Sequence, residues 1–435
     1  MSMADQIAAL VHEEFRKLPA KRKPPVRDNG IHEWVPLSGI VAKGPNGLKC
    51  LSLATGMKCL PGCKVSESNG VAIHDWHAEI LALRSFNHFV LSECLRLAAD
   101  ETTTSEFIRR RTPEAISPQS LHQENLSWHG QPFAWQPHVT LHMYCSEAPC
   151  GDASMELIMA AQDDASPWEI PPSLTKILSS TSGPSETTTS TALPGRAFFS
   201  HLGVVRRKPA RGDAPPSLSK SCSDKIALKQ CTSLLSSLSS LLVSPSGVYL
   251  STLVLPKSQF SERACERCFS PEGRMRPVAE RRWDGGGYAF VPFTVETTGE
   301  EFEFSKRAVA GSAEKTSATN LAVSWTIGGL EEGLVGGMLQ GRKQFVLKGA
   351  SAVSRRGMWK LAAEVAEWLE GDCAEVIQKT LTEGTYDEVK ARNLLDGRRE
   401  VKGDVKREAL TGWVQNTGGG GFTLEKKKTR SASSS

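Results

Sequence analysis

The sequence predicts an α/β layered fold, and three observations carry that prediction. Strand-like and helix-like segments alternate along the chain, the order that builds a sheet covered by helices. VPLSGIVAK and GLKCLSLATG, between Val35 and Gly56, read as two strands with a Gly-Pro-Asn-Gly turn between them. From His77 to Ala99, the residues Ile80, Leu83, Phe86, Val90 and Leu97 mark one apolar face of a long helix.

The other elements follow in order. Ile7, Leu10, Val11 and Phe15 stand at helical spacing and predict an amphipathic helix at the start. VTLHMYC (Val139 to Cys145) alternates like a strand, and SMELIMAAQ after Pro149 reads as a helix. VYLSTLVLP (Val248 to Pro256) and LAVSWTIGG (Leu321 to Gly329) are further strands. From Met358 to about Val414 the chain is mostly helical and heavily charged. Two stretches read as disordered insertions. Residues 100–136 are polar without a steady period, and 164–193 are rich in Ser, Thr and Pro. The tail, 418–435, is expected to be flexible.

Composition excludes several classes. The 435 residues carry a net charge of +4, too mild to indicate a polyanionic partner unless the charge is clustered. No apolar run approaches the roughly 18 residues that a membrane span needs. The first residues have no signal-peptide core, and their Asp and Glu argue against a transit peptide. Eleven cysteines, an odd number without a secretory signal, point to metal-bound or buried thiols rather than a disulfide framework. Lys21 to Lys23 reads KRK, a short cluster of the nuclear-signal type, so a cytoplasmic or nuclear location, or both, is expected.

The chemistry concentrates in HDWHAEI, His74 to Ile80. In zinc deaminases an H-x-E supplies a metal-binding histidine and a glutamate that shuttles protons. At a helix start, His77 and Glu79 can lean into one cleft. PCGDAS at Pro149 to Ser154 gives a thiol after a strand and before a helix, where the helix dipole favours a thiolate. Catalytic zinc usually takes three protein ligands and a water. The usual second cysteine of P-C-x-x-C is absent, because Ala153 stands in its place. Cys145 lies within the preceding strand, which argues against it. CERC (Cys265, Cys268) and CLPGC (Cys59, Cys63) offer pairs, and Cys222 in SKSCSDKIAL is a third candidate, flanked by cations that favour its thiolate.

Together, HAE at His77 to Glu79, PCGDAS at Pro149 to Ser154 and SCSDKIA at Ser221 to Ala227 resemble the catalytic domain of the adenosine deaminases acting on RNA. ATGMKCL (Ala54 to Leu60) and VSWTIG (Val323 to Gly328) match in the same order. The resemblance implies a cytidine-deaminase-like three-layer α/β/α core with a mixed central sheet, followed by a helical C-terminal part. It implies one deaminase domain over 1–435, with zinc held by His77, Cys150 and Cys222 and Glu79 as the catalytic residue. Within the family, the start DQIAALVHEEFRKLPAKRKP and the stretch RRKPARGD are similar to the tRNA branch. That branch implies conversion of adenosine to inosine in tRNA-Ala, 3′ of the anticodon, with the anticodon stem-loop as partner.

The family also buries inositol hexakisphosphate. Carried over motif by motif, its contacts are Lys58, Arg84, Lys225, Arg355, Tyr386, Lys390 and Trp413. Leu83, the stretch ALKQ (Ala227 to Gln230) in place of an Arg-Trp pair, and Asn416 depart from the family pattern around that pocket. Arg206, Arg207, Lys208 and Arg211, in the basic stretch before SCSDK, are the expected phosphate contacts for RNA. Rival readings are an editor of double-stranded RNA, a cytidine deaminase on the same scaffold, and a non-catalytic zinc-stabilised RNA-binding protein. An intact Glu79 argues against the last, since a structural zinc needs no proton shuttle.

Overall fold

The computed structural model describes residues 1–116, 128–162, 193–194, 198–209, 214–283 and 286–424. The chain opens on α1 (Met3–Lys17), capped by Ser2, whose hydroxyl accepts from the Asp5 amide while the Asp5 carboxylate accepts from the Ser2 amide. Then come β1 (Leu37–Gly44), β2 (Gly47–Thr55) and the long α2 (Ala78–Ala99). They are followed by β3 (Thr140–Cys145), α3 (Met155–Ala160), α4 (Cys222–Thr232) and β4 (Leu250–Pro256). Next are α5 (Glu262–Phe269), β5 (Thr294–Thr298), β6 (Leu321–Thr326), β7 (Glu331–Val335) and β8 (Met338–Leu339). The last part holds α6 (Arg355–Glu367), α7 (Asp372–Thr382), α8 (Tyr386–Ala391) and α9 (Asp396–Glu408).

The eight strands form one sheet in the order β5-β4-β3-β1-β2-β6-β7-β8. β3, β4 and β5 pair in parallel and all other neighbours antiparallel, so the sheet is mixed. On one face Ile7, Val11 and Phe15 of α1 pack on Val41, Leu53, Tyr144 and Val254. On the other, Leu83, Phe86 and Val90 of α2 meet Ile40, Leu51, Met143 and Leu253. Each such buried side chain contributes about 1.5–3 kcal/mol of transfer free energy. The three-layer α/β/α arrangement is therefore present, and α6 to α9 pack beyond α2 and α4 as a helical addition. Among the described residues no helix is long and apolar enough to cross a membrane.

Two of the expected disordered stretches carry structure in their described parts. In 100–136, Ile108–Arg110 pairs with Phe133–Trp135, and Ile108, Trp128, Phe133 and Trp135 are buried. Those few large side chains, spread over a polar stretch, leave no period to read, yet each fills core volume. The stretch 164–193 lies outside the described residues except for Leu193, which is buried and pairs with Arg206. The tail is docked at its start: Phe422 stacks on Tyr386 at 5.3 Å, and its carbonyl accepts from the Tyr386 amide at 2.9 Å. Residues 425–435 lie outside the description.

Candidate active site

The sheet brings the first two motifs together. β2 ends at Thr55 and β3 at Cys145, and both ends lie beside the start of β1, through Leu37 paired with Thr55 and Ser38 with Cys145. The loops that leave there carry His77 and Cys150 to one end of the sheet. His77 is the last extended residue before α2, and Glu79 lies in its first turn.

The Cys150 loop is fastened to the start of α4. The Ser223 hydroxyl donates to the Pro149 carbonyl at 2.8 Å and accepts from the Ala153 amide at 3.1 Å, while the Ser223 amide donates to the Cys150 carbonyl at 3.0 Å. Gly151 makes this closeness possible: its φ is 105°, and a Cβ there would stand 2.2 Å from the Ser221 hydroxyl. Gly151→Ala is therefore expected to destabilise the fold by about 1–3 kcal/mol through left-handed strain and the clash. It should lower activity more than tenfold by moving the Cys150 loop; denaturant unfolding and turnover measure the two effects. In place of a helix beginning directly at Cys150, a short turn, Asp152–Ser154, leads into the six-residue α3.

Cys222 opens α4, and its amide lies 3.4 Å from the Cys150 sulfur. The two thiols are hydrogen-bonded. That bond, with Lys208 and His77 nearby, holds Cys150 well below the usual thiol range, while burial pushes the Cys222 partner up. Cys150 is thus the first of the pair to become a thiolate. Glu79 is buried, which raises its carboxyl above the ordinary value, and the neighbouring Cys150 charge adds to the rise.

Asp75, not singled out in the sequence, holds the site together. It is buried, and its carboxylate accepts from the His77 amide at 3.1 Å and pairs with His77 Nδ1 at 2.9 Å. It also accepts from Lys208 Nζ at 2.8 Å, from the Ser219 hydroxyl at 2.8 Å, and from Lys225. Burial would raise its carboxyl, but Lys208 and Lys225 outweigh that and hold it well below the usual range. With Nδ1 engaged, His77 presents Nε2 as its free ligating nitrogen. Lys208 Nζ also donates to the Cys222 sulfur at 3.2 Å. Among the described residues no three His, Cys, Asp or Glu side chains stand at ligating distance of one point. The donor chemistry, one oriented imidazole and two adjacent thiols, is of the kind zinc takes.

The structure corrects the expected RNA contacts. Arg206 and Lys208 are buried: Arg206 donates to the Phe198 carbonyl, and Lys208 neutralises Asp75, so neither can meet a phosphate. Arg207 is half-buried in a short strand, and Arg211 lies outside the described residues.

Beside the site a cavity of about 250 Å³ lies between α2, α4, α6 and α9. Arg84, Lys225, Arg355, Tyr386 and Trp413, which the resemblance names as inositol hexakisphosphate contacts, line it. Lys390 stands behind it, its ammonium 5.5 Å from the Tyr386 ring. Lys58 is a correction: it is exposed and donates to Asn320 on the loop before β6, because the turn after β2 carries it away from the cavity. The sequence reading missed Lys229, Arg398 and Lys402, which also line it. Their signal was present, since Lys225 with Lys229 and Arg398 with Lys402 are cations at i,i+4 on helices. Among the described residues no Asp or Glu lines the cavity. Burial pushes Lys229 and Lys402 well down, and neighbouring cations add to it.

A sheet with its thiol and H-x-E loops at one end and a second cysteine on the facing helix defines a nucleobase deaminase, and residues 52–417 match the adenosine-deaminase (editase) domain. The chain belongs to that family and is an adenosine deaminase. It is 33% identical to the tRNA-specific adenosine deaminase 1 of Schizosaccharomyces pombe over 96% of either chain. It is 34% identical to the Saccharomyces cerevisiae protein of the same name over 58% of either chain. Against the double-stranded RNA-specific adenosine deaminase of Mus musculus it is 29% identical, over 35% of this chain and 11% of that one.

Proposed function

We propose that this enzyme deaminates adenosine to inosine in tRNA, at the nucleotide 3′ of the anticodon of tRNA-Ala. The observation that carries the tRNA reading is the near full-length likeness to the fission yeast tRNA-specific enzyme, against a partial match to editors of double-stranded RNA. The tRNA-Ala position rests on the resemblance of the motifs and the N-terminal arm. An anticodon loop is already single-stranded, so presenting its base costs less than extrusion from a duplex.

His77, Cys150 and Cys222 would hold zinc, which when bound brings the pKa of a water toward neutrality. Asp75 fixes the His77 ring through Nδ1, and Lys208 balances the thiolate charge near Cys222. Glu79 takes the proton of the attacking water and delivers it to adenine N1. It then takes the proton of the new C6 hydroxyl and passes it to the departing amine, so that the C6 carbonyl forms as the C6–N bond breaks, water is consumed and ammonia is released. The cavity, with Arg84, Lys225, Lys229, Arg355, Arg398 and Lys402 and no lining acid among the described residues, suits inositol hexakisphosphate, since cations are buried at reasonable cost only beside anions.

Incubating the protein with tRNA-Ala and mapping inosine by sequencing tests the reading, and an absence of inosine from every tRNA offered rejects it. Cys222→Ser is expected to weaken zinc binding by more than about 100-fold, because even the groups behind metal ligands are worth 10–100-fold. Metal analysis after dialysis reads this, and full zinc retention would place the third ligand elsewhere.

A further inference from the structure

Catalysis makes no use of the basic cluster Lys21, Arg22 and Lys23. The cluster is folded, in the turn Ala20–Arg22, and Arg22 anchors it to the far edge of the sheet. Arg22 Nε donates to Glu331 at 3.2 Å, and its guanidinium donates to Gln340 at 3.0 Å. The strand makes room for it at Gly333, where a Cβ would stand 2.3 Å from the guanidinium. Gln340 begins the loop 340–348, QGRKQFVLK, so the N-terminal turn and this loop form one surface.

That loop has two unusual properties. Phe345 takes a φ of 61°, a left-handed conformation that a bulky side chain adopts only under constraint. Its ring is held against the cluster of Val71, Ile73 and Trp76, while its neighbours turn outward. Val346 and Leu347 are 39% and 46% exposed, between Lys343 and Lys348. Among the described residues the side chains of Lys21, Arg342, Lys343 and Lys348 have no hydrogen-bond or ion-pair partner, although the Arg342 amide donates to the Leu339 carbonyl. The nearby acids are already engaged: Glu331 with Arg22, and Glu332 with the Ser351 hydroxyl and Ala352 amide.

Hydrogen bonds tie this loop to the segments that hold the candidate site. Lys64 Nζ donates to Gln344 in the loop at 3.2 Å. The Gly62 amide donates to the Pro216 carbonyl at 2.9 Å, and the Ser217 hydroxyl donates to the carbonyl of Lys208 at 2.9 Å. From the Asp75–Lys208 pair to the basic loop the path is therefore a short chain of bonded segments.

We infer that Lys21, Arg342, Lys343 and Lys348, with the apolar pair Val346 and Leu347, form a docking surface for the phosphate backbone of the substrate RNA outside the loop that carries the edited base. The inference rests on the reading that the substrate is a tRNA. Such a substrate is far larger than one loop, so its phosphates must lie on protein beyond the catalytic mouth. Contacts of this kind fix register and position without reading sequence. Unpartnered cations in one patch supply them, and the two apolar side chains offer contact to the ribose edge. This surface replaces the buried Arg206 and Lys208 as the basic element facing RNA.

The test uses the full-length protein with tRNA and a triple charge reversal, R342E/K343E/K348E. Its melting temperature is expected to match the unmodified protein, because no bonded partner is lost. KM for tRNA is expected to rise at least tenfold with kcat unchanged, the signature of lost uniform binding. The dependence of log KM on log salt should flatten by about two to three, at roughly 0.7–0.9 per lost phosphate contact. The conservative variant R342K/K343R/K348R should keep the original slope, and V346S/L347S should raise KM with no change of slope. An unaltered KM and slope in the charge-reversed protein overturn the inference while leaving the proposed function standing. A fall in kcat at constant KM also overturns it. An unmodified protein that forms no inosine in any tRNA removes the proposed function itself.

Discussion

Glu79→Ala is expected to lower inosine formation by about 10²–10⁴-fold, the contribution of a positioned acid–base group, with zinc content unchanged. The residue sits in the first turn of α2, two positions after a His77 held by Asp75, and it shares its surroundings with Cys150 and Lys208. Burial raises its carboxyl above the ordinary 4.5. The form that accepts a proton from water is the carboxylate. Activity should therefore fall on the acid side as Glu79 is protonated, and this limb should vanish from the residual activity of the alanine variant. Stability runs in the opposite sense. A carboxyl raised in the folded state keeps its proton longer there than in the unfolded chain, so its charge weakens the fold as pH climbs from the unfolded value through the folded one. Glu79→Gln is accordingly expected to melt at or above the temperature of the unmodified protein near pH 7 and to show no gain below pH 4.5. Active sites commonly sacrifice stability in this way. Turnover within tenfold of the unmodified enzyme would remove Glu79 from the proton path.

Much of this architecture was legible because local pattern and global role agree. β1, β2, α2 and β3 each have a clear period and lie within a residue or two of where alternation and helical spacing place them. His77, Glu79 and Cys150 could be singled out because they are reactive side chains at element boundaries, whereas Cys222 was singled out from the other cysteines only by the resemblance of its motif. What escaped depends on partners distant in the chain. Asp75 stands two residues before His77, but its role comes from Lys208 and Lys225, more than a hundred residues on. Lys208 reads as a surface cation in RRKPARGD until the fold turns it onto Asp75 and Cys222. Trp128 and Phe422 lie in polar stretches whose average conceals them, since burial of a single ring follows from the packing around it rather than from a repeating pattern.

The second large effect is expected from the basic cavity. Lys225 and Lys229 on α4 face the same space as Arg398 and Lys402 on α9, with Arg84 and Arg355 closing it. Like charges this close repel, and burial removes the water that would solvate them. Arg398 is held by neutral groups, the carbonyls of Thr232 and Leu235 and the hydroxyl and ring of Tyr288. Arg84 is pushed down to about 10, chiefly by burial. A bound polyphosphate reverses each of these terms, so the protein purified from cells should release inositol phosphate on denaturation, measured as phosphorus per chain. Stripping it should cost about 4 kcal/mol relative to protein kept at a thousandfold excess over Kd. The two forms should also differ in their response to pH. With Lys229 and Lys402 depressed below 10.5, the unfolded chain binds more protons than the folded one, so the stripped protein gains stability as pH rises toward 10.5. The loaded protein, whose lysines keep their charge beside phosphate, should not. The double variant K229M/K402M should lower the phosphorus content and remove the pH response, since it takes away the two cations on which both depend. Phosphorus-free protein that melts the same with and without added inositol hexakisphosphate would leave the cavity with no anion to explain its charge.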